Sequence, residues 1–344
     1  MKIVVPLSNC HHYESLVEAG ADEFYSGFFP YDWLKDCGTA IPLNRREYFA
    51  NCNICSYSTM KVLARKAEKY KIPIKLTFNA VTYSPQRYPH IRSIIEKLMD
   101  IGYKTFIISD IGLIVYLREK GVPCDIHISG EAVIRNHMAM QLLNQFDISR
   151  IVFPRKTSLK TIKDSIRANS TVKNCTYETF ILNSNCIYTG GLCNTVHCEE
   201  MGIFCFVPSE VRKTKDNPIF QDEIKYVGMC YKHANRNNKK HANTRIKQRS
   251  EDIKKDEKVK EQVNTPVKRG CGLCYIKELT EIGITHGKIV GRESGFSAMI
   301  KDVKDVREAI NMISNNSDTE SYKKAVKEQF FSNKCPEAFC YYPS

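Results

Sequence analysis

The feature that most constrains the fold is a regular alternation of strand-like and helix-like segments along the first 185 residues. Apolar, β-branched runs such as KIVVP, IPIKLTFNA and TFIISD alternate with segments of helical periodicity, and three helices are predicted to end at Gly20, Gly102 and Gly121. Repeated β–α units require a parallel sheet covered by helices. About seven units precede residue 185 and one more strand-like segment, HGKIVGR, follows at 286–292, so the α/β chain is predicted to close into a (β/α) TIM-like barrel instead of an open doubly wound sheet.

The carboxyl ends of the predicted strands carry polar residues. In a (β/α) barrel these ends form the functional mouth, so the residues that follow the strands there are candidates for ligand binding and catalysis. They are Asn79, Asp110, Ser129, Glu131, Arg155, Asn183 and Arg292. Each one alone is equally well explained as a cap of the next helix. The prediction of a polar ring above an apolar barrel therefore depends on the whole set.

Composition and the first residues predict a cytoplasmic, globular protein. The 344 residues are 42% hydrophobic, which is enough for one large core or two modest ones. Met1 and Lys2 lead directly into a short apolar run that ends at Pro6, unlike a secretory signal. The most apolar stretch, TFIISDIGLIVYL, is interrupted by Asp110 well short of the ~20 residues needed to cross a bilayer, so no membrane association is expected.

Fifteen cysteines are a high number for a chain expected in a reducing compartment. Disulfides are rare there, which favours metal ligation or redox chemistry for some of these thiols. Cys186 and Cys193 are the first candidates, because they flank a Gly-Gly turn after a predicted strand in ILNSNCIYTGGLCNT. Sulfur ligands alone do not distinguish zinc from an iron–sulfur cluster.

The net charge of +13 is concentrated in one segment. Residues 212–269 contain 17 Lys or Arg against 8 Asp or Glu, a net charge of +9, and show almost no apolar periodicity. Such a segment is typical of a solvated charged loop or lid. A basic loop also attracts polyanions over long range, so nucleic acid is a second candidate partner.

Five segments carry a family resemblance. They are EAGADEFYSGF, DIHISGEAVIRNH, SRIVFPRKTSLKTI, YETFILNSNCIYTGGLC and ELTEIGITHGKIVGR. In this order, over most of residues 1–295, they resemble the collagenase-like peptidase family, peptidase U32. The resemblance implies a barrel with four cysteine ligands, and some members are similar to oxygen-independent hydroxylases of tRNA, ribosomal RNA or quinone precursors that carry an iron–sulfur cluster.

The resemblance also implies a set of metal ligands. Cys186 and Cys193 match the family's first pair, VGMCYKH offers Cys230, and Cys271 lies ahead of the last segment. We predict that these four hold an iron–sulfur cluster of the 4Fe–4S type, with zinc as the alternative. Cys274, Cys205 or Cys198 are competitors for one of these positions, and Cys52, Cys55, Cys335 and Cys340 are candidates for a second metal site.

With these ligands the chain divides into four predicted parts. Residues 1–200 form the main part of the barrel, and residues 201–270 form a basic insertion or lid that carries a cysteine ligand. Residues 271–315 close the barrel, and residues 316–344 are a C-terminal tail that contains cysteines.

Roles follow for the polar residues of the predicted mouth. We assign Glu178 to acid–base chemistry and Arg155, Arg292 and Lys288 to binding and catalysis on an anionic substrate. The predicted substrate-binding residues are Asn79, Asp110, Ser129, Glu131 and Asn136. Arg292 has a structural alternative, which is an ion pair with Glu178 across the barrel.

Two departures from the family pattern leave the substrate open. Leu182-Asn183 stands where many relatives have His-Gly, and Ser129-Gly130-Glu131 stands where they have Ser-Thr-Gln. The predicted function is hydroxylation, or a related modification, of RNA or a small anionic metabolite, with a paralogous protein as a further candidate partner. Alternatives are a peptidase or peptide-modifying protein and a metal-stabilised nucleic-acid-binding module. No Ser-His-Asp arrangement or HExxH motif supports an ordinary protease mechanism.

Overall fold

The computed structural model describes residues 1–37, 43–45, 52–169, 174–183, 186, 197–198, 202–203, 270–292, 294–333, 335 and 340–342. All of these belong to one compact unit formed by Met1–Phe206 and Pro266–Ser344. Most of the predicted basic insertion lies outside the described residues, as do Cys193, Cys205 and Cys230.

Within the described residues, eight parallel strands close into a barrel. They are β1 (Lys2–Pro6), β2 (Glu23–Phe28), β4 (Ile74–Phe78), β5 (Thr105–Ile108), β6 (Asp125–Ile128), β7 (Ile148–Val152), β8 (Thr176–Leu182) and β11 (His286–Ile289). Closure is made by β1, which pairs with β2 on one side and β11 on the other. The predicted fold class is confirmed.

Three short strands lie outside this ring. β3 (Asn53–Ile54) pairs in parallel with the end of β2, so that Gly27 lies opposite Asn53. β9 (His197–Cys198) and β10 (Gly202–Ile203) pair with each other in antiparallel fashion.

Helices follow the strands, as the alternation predicts. They are α1 (Tyr13–Glu18), α2 (Tyr31–Cys37), α3 (Tyr57–Tyr70), α4 (Tyr88–Ile101), α5 (Ile111–Glu119), α6 (His137–Asn144), α7 (Leu159–Ala168), α8 (Ile276–Glu281), α9 (Phe296–Asn311) and α10 (Thr319–Phe331). Gly102 ends α4 with a φ of 117°, a backbone angle that would strain any residue with a side chain. Gly20 and Gly121 follow α1 and α5 within two residues, so the predicted helix ends are confirmed. None of the described helices is long and apolar enough to cross a membrane.

Part of the predicted C-terminal tail is a helix that packs on the barrel. Tyr322 of α10 is fully buried, and its hydroxyl donates to the carbonyl oxygens of Leu273 (3.1 Å) and Ala309 (2.9 Å). This contact holds the C-terminal part of the chain against the segment that carries Cys271 and Cys274.

The hydrophobic core surrounds the barrel, and the barrel interior differs from it. Ile91, Ile94 and Leu98 of α4 are fully buried in the main core, where each contributes ~1.5–3 kcal/mol. Inside the barrel, Val4, Tyr25 and Ile107 form only a small apolar cluster. Buried charged side chains occupy the adjoining positions, so the predicted apolar interior was wrong.

Candidate functional site

The polar residues predicted at the mouth follow the strands at one end of the barrel. Asn79, Ser129 and Asn183 come directly after β4, β6 and β8. Asp110, Arg155 and Arg292 come two or three residues after β5, β7 and β11. Because parallel strands end on the same side, these residues share the carboxyl-terminal end of the barrel, which we call the mouth.

Arg155 is the cation of the mouth whose surroundings are best defined. Its Nη1 donates to Glu131 Oε1 at 3.2 Å, and its guanidinium lies 4.3 Å from the centroid of the Phe180 ring. Glu131 also lies 3.7 Å from the Nε of Arg45, so two cations share one carboxylate. The Nε of Arg155 is buried with no hydrogen-bond acceptor among the described residues. Burial would lower the pKa of Arg155, but the nearby Cys186 and Glu131 outweigh burial and raise it.

Arg292 is held at the mouth by uncharged oxygens. Its guanidinium donates to Asn44 Oδ1 (3.0 Å), Asn53 Oδ1 (3.1 Å) and the Cys52 carbonyl (3.2 Å). Among the described residues, Glu178 pairs with Arg150 and Lys288 and not with Arg292, so the alternative ion pair between Arg292 and Glu178 is not found there. A Cβ atom at Gly27 would collide with Arg292 and Asn53, so glycine at this position of β2 leaves the space that Arg292 occupies.

Three of the predicted binding residues also cap helical segments. Asp110 accepts from the backbone of Leu113 at the start of α5 (3.2 Å), and also from Tyr83 N (2.7 Å). Asn136 accepts from Ala139 N (2.9 Å) and caps α6, while Ser129 caps the turn that contains Glu131. These bonds explain the residue types without a ligand.

Asn79 connects two parts of the mouth. Its Oδ1 accepts from the backbone of Arg45 at 3.3 Å, and its Nδ2 lies 3.5 Å from Ser129 Oγ. The predicted residues Asn79, Ser129, Glu131 and Arg155 are therefore connected on one side of the mouth.

Five cysteines lie around the carboxyl end of β8. They are Cys186, Cys271, Cys274, Cys335 and Cys340, which we call the β8-end cysteines. Cys271 is placed by an antiparallel bridge to Leu182, the last residue of β8, and it also bridges to Cys340. Its thiol is within electrostatic range of Cys274, Cys335 and Cys340. Tyr341 lies within electrostatic range of Cys186 and Cys271, and its hydroxyl donates to the Asn183 carbonyl.

The chemistry of these thiols fits a positively charged metal group. Burial raises the pKa of Cys271, and it raises that of Cys274 to about 12. Buried thiols of this kind become thiolates when a metal compensates their charge. Within the described residues no three His, Cys, Asp or Glu side chains already converge as a metal site, and two predicted ligands, Cys193 and Cys230, lie outside those residues.

Cys335 and Cys340 lie beside Cys271 and Cys274. They were predicted instead to form a second metal site with Cys52 and Cys55. The available signal was the CxxC of Cys271 and Cys274 together with the two terminal cysteines. Their proximity depends on the return of the chain along α10.

Glu178 lies inside the barrel and not at its mouth. It is the third residue of β8 and is fully buried. Its carboxylate accepts from Lys288 Nζ at 2.7 Å and from Arg150 Nη1 at 2.9 Å. The predicted position beside Arg155 and Arg292 at the strand ends was therefore wrong. Burial alone would raise the pKa of Glu178, but Lys288 and Arg150 outweigh it and lower the pKa to about 2.

Arg150 connects Glu178 to two buried residues that sequence reasoning missed. Its two terminal nitrogens donate to Glu23 at 2.6 and 3.1 Å, and Nη2 lies 2.9 Å from His286 Nε2. Because a guanidinium only donates, His286 Nε2 must accept, and its proton lies on Nδ1, which is 2.7 Å from Thr285 Oγ1. Glu23, Arg150, Glu178, His286 and Lys288 form what we call the interior cluster. The signal was a charged residue inside each of the strand-like runs DEFYSGF and SRIVFP.

Comparison with known proteins assigns the family. The model of peptidase family U32 matches residues 8–343. A solved U32 peptidase aligns at 13% identity with a TM-score of 0.39 and covers 53% of this chain and 68% of its own. The native KDPGal structure aligns at 7% identity with a TM-score of 0.41, covering 91% of this chain and 95% of its own. Dihydrodipicolinate synthase from Bacteroides thetaiotaomicron aligns at 9% identity with a TM-score of 0.39, covering 97% and 89%. These structural matches are too distant to support an argument, and no curated protein matched the sequence. Since the family model spans nearly the whole chain, the protein belongs to peptidase family U32.

Proposed function

We propose that this protein is an iron–sulfur enzyme that modifies an anionic substrate without oxygen, by hydroxylation or a related reaction. The observation that supports the proposal best is the position of Arg155 within electrostatic range of Cys186, one of five cysteines around the end of β8. Thiols and a partly compensated cation at the mouth of a (β/α) barrel suit a cofactor and the substrate that meets it. RNA and small anionic metabolites are the two substrate classes.

Cys186, Cys193, Cys230 and Cys271 would hold the cluster, with Cys274 as a substitute for one ligand. Such a cluster, when bound, supplies electron transfer. Arg155 would bind the substrate anion, because its buried Nε is a donor that no described residue satisfies. Glu131 would orient Arg155, and the glycine at position 27 would leave room for the guanidinium of Arg292 at the mouth.

Glu178 and Lys288 have a structural role in this proposal. A general acid works near neutral pH only when its pKa lies near the working pH, whereas the pKa of Glu178 is about 2. Both residues are buried in the barrel and bonded to each other. We therefore assign them to stabilising the strands that carry the mouth residues.

Comparing a deletion strain with its parent tests the proposed reaction. We expect a hydroxylated nucleoside or small anion to be absent from the deletion strain, restored by the natural protein and not restored by Arg155→Met. Lys163→Met is the matched control, because Lys163 is an exposed cation on α7. An unchanged set of nucleosides and metabolites, together with cleavage of a peptide substrate by the metal-free protein, would establish the peptidase alternative instead.

A further inference from the structure

A basic groove lies at the barrel end opposite the mouth. It runs between α3 and α4 toward the starts of β4, β5 and β6 and has a volume of about 1120 Å³. Its lining includes residues that precede these strands or begin them, such as Lys71, Lys104 and Asp125. We call it the amino-end groove, and no residue of the mouth contributes to it.

Cations dominate this groove. Three carboxylates and six cationic side chains line it. The cations are Lys61, Arg65, Lys71, Lys75, Lys97 and Lys104. Lys97 pairs with Asp32 at 3.2 Å, and Lys75 donates to Thr105 Oγ1 at 3.1 Å. The other four cations are exposed and form no ion pair with any residue that the structure describes. Uncompensated like charges repel one another and destabilise a fold, so a site of this kind is better satisfied with an anion bound.

A second groove of the same barrel shows that this excess is local. It lies among α7, α8 and α10, has a volume of about 550 Å³ and is lined by three cations and three carboxylates. Lys323 there pairs with Glu278 at 3.3 Å and with Glu320 at 3.0 Å. The general basicity of the chain therefore does not explain the composition of the amino-end groove.

The spacing of the cations favours a chain of anionic groups over a single one. Lys61 and Arg65 are one turn apart on α3, about 6 Å along the axis. Lys71 follows the last residue of α3 and is separated from Lys61 by ten positions, a distance of about 15 Å along the helix that one phosphate cannot bridge. A phosphodiester backbone carries one charge per nucleotide, so it can contact cations that are spread over this distance, whereas a single phosphate cannot.

We propose that the amino-end groove binds the phosphodiester backbone of a nucleic acid. The proposal does not depend on the reaction at the mouth, because the groove consists of different residues at the other end of the barrel. RNA and single-stranded DNA share this backbone, and the groove recognises its charge without reading bases.

The test compares two triple variants with the same change in net charge. Lys61→Glu, Arg65→Glu and Lys104→Glu alter the groove, whereas Lys163→Glu, Arg167→Glu and Lys304→Glu alter exposed cations elsewhere on the barrel. Binding of labelled RNA and DNA oligonucleotides of one sequence is measured by fluorescence anisotropy in the full chain at several salt concentrations. Thermal melting confirms that both variants fold.

The groove variant should bind at least ~10-fold more weakly than the control variant, and its salt dependence should decrease by about two units of slope because three phosphate contacts are lost. This difference between the two variants, seen with either oligonucleotide, supports the proposal. The oligonucleotide that binds more tightly shows whether RNA or DNA is the preferred ligand. Equal affinity of the two variants would overturn it. Displacement of the oligonucleotide by polyglutamate as efficiently as by unlabelled RNA would also overturn it, in favour of an acidic protein partner.

Discussion

In the interior cluster two cations meet two carboxylates, whereas at the mouth Arg155 and Arg45 share the single carboxylate of Glu131. Arg150 and Lys288 use their donors on Glu23 and Glu178, with His286 as a further acceptor. At the mouth, by contrast, the Nε of Arg155 is buried without an acceptor among the described residues.

The contrast separates stabilising charges from binding charges. A buried ion pair is tolerated when its hydrogen bonds are satisfied, and removal of one partner leaves an uncompensated charge. Each charged side chain of the interior cluster has a partner of opposite charge among the described residues, and the cluster connects β2, β7, β8 and β11. At the mouth, the buried Nε of Arg155 has no acceptor among the residues that the structure describes, and an anionic ligand would supply one.

The largest expected effect is in the interior cluster. Glu178→Gln removes the charge that Lys288 and Arg150 share, so the free energy of unfolding should fall by about 3–5 kcal/mol in urea denaturation. The double variant Glu178→Met with Lys288→Met is the control and should lose less, because it removes both partners. Normal stability of Glu178→Gln with loss of activity would show that Glu178 belongs to the functional site after all.

Acid should act on the interior cluster first through its histidine. Burial and the charge of Arg150 lower the pKa of His286 to about 3, and the pKa of Glu178 is about 2. In both cases the unfolded chain binds the proton at a higher pH than the folded chain does. Each group's contribution to the free energy of unfolding is therefore fully present above its unfolded pKa and is lost as the pH falls. The histidine contribution should be lost from about pH 6.5 downward, and the Glu178 contribution, about 3 kcal/mol, between about pH 4.5 and 2.

His286→Asn isolates the histidine contribution. Its free energy of unfolding, measured from pH 7 to pH 4.5, should fall less steeply than that of the natural protein. His127 limits the flattening, since its buried ring also has a pKa well below the ordinary value for the same reasons, burial and Arg150. An unchanged slope would mean that the pKa of His286 is the same in the folded and unfolded chains, which contradicts the lowered pKa expected for its buried position.

A smaller effect is expected from Gly27→Ala at the mouth. The added methyl group would collide with Arg292 and Asn53, and relief of such crowding costs ~1–3 kcal/mol in thermal or urea unfolding. Gly295→Ala, where the new atom meets open space, serves as the control and should lose less. Equal melting of Gly27→Ala and the natural protein would show that Arg292 is not fixed in this position.

Arg155→Lys should change stability least. Its side chain is only 13% exposed, but Glu131 keeps Arg45 as a partner, so we expect a loss within about 1 kcal/mol. Ligand binding should suffer more, because lysine keeps the charge and loses the planar set of donors. The loss of ligand affinity is measured by calorimetric titration with the anionic substrate, once the comparison of the deletion strain with its parent has identified that substrate. Unchanged affinity would exclude Arg155 from the binding site.

Sequence predicts those features of the fold and the site that depend on residues close together in the chain. Alternating periodicity predicted the barrel, and position after a strand predicted Asn79, Ser129 and Arg155 at its mouth, since parallel strands share one end. The interior cluster depends on closure of the barrel, which brings Arg150 to Glu23 across 127 positions of the chain. Local sequence patterns do not predict an ion pair between residues so far apart in the chain. The proximity of Cys335 and Cys340 to Cys271 was missed for the same reason, because α10 determines where these two residues return to the barrel.

The most direct test of a functional mouth is the iron and acid-labile sulfide content of anaerobically purified protein. Cys186 and Cys175 flank the two ends of β8, and the account gives a role in the cluster only to Cys186. We predict iron, sulfide and broad visible absorption in the natural protein and in Cys175→Ala, and their loss in Cys186→Ala. Full iron content in Cys186→Ala, or a colourless natural protein with stoichiometric zinc, would contradict the account.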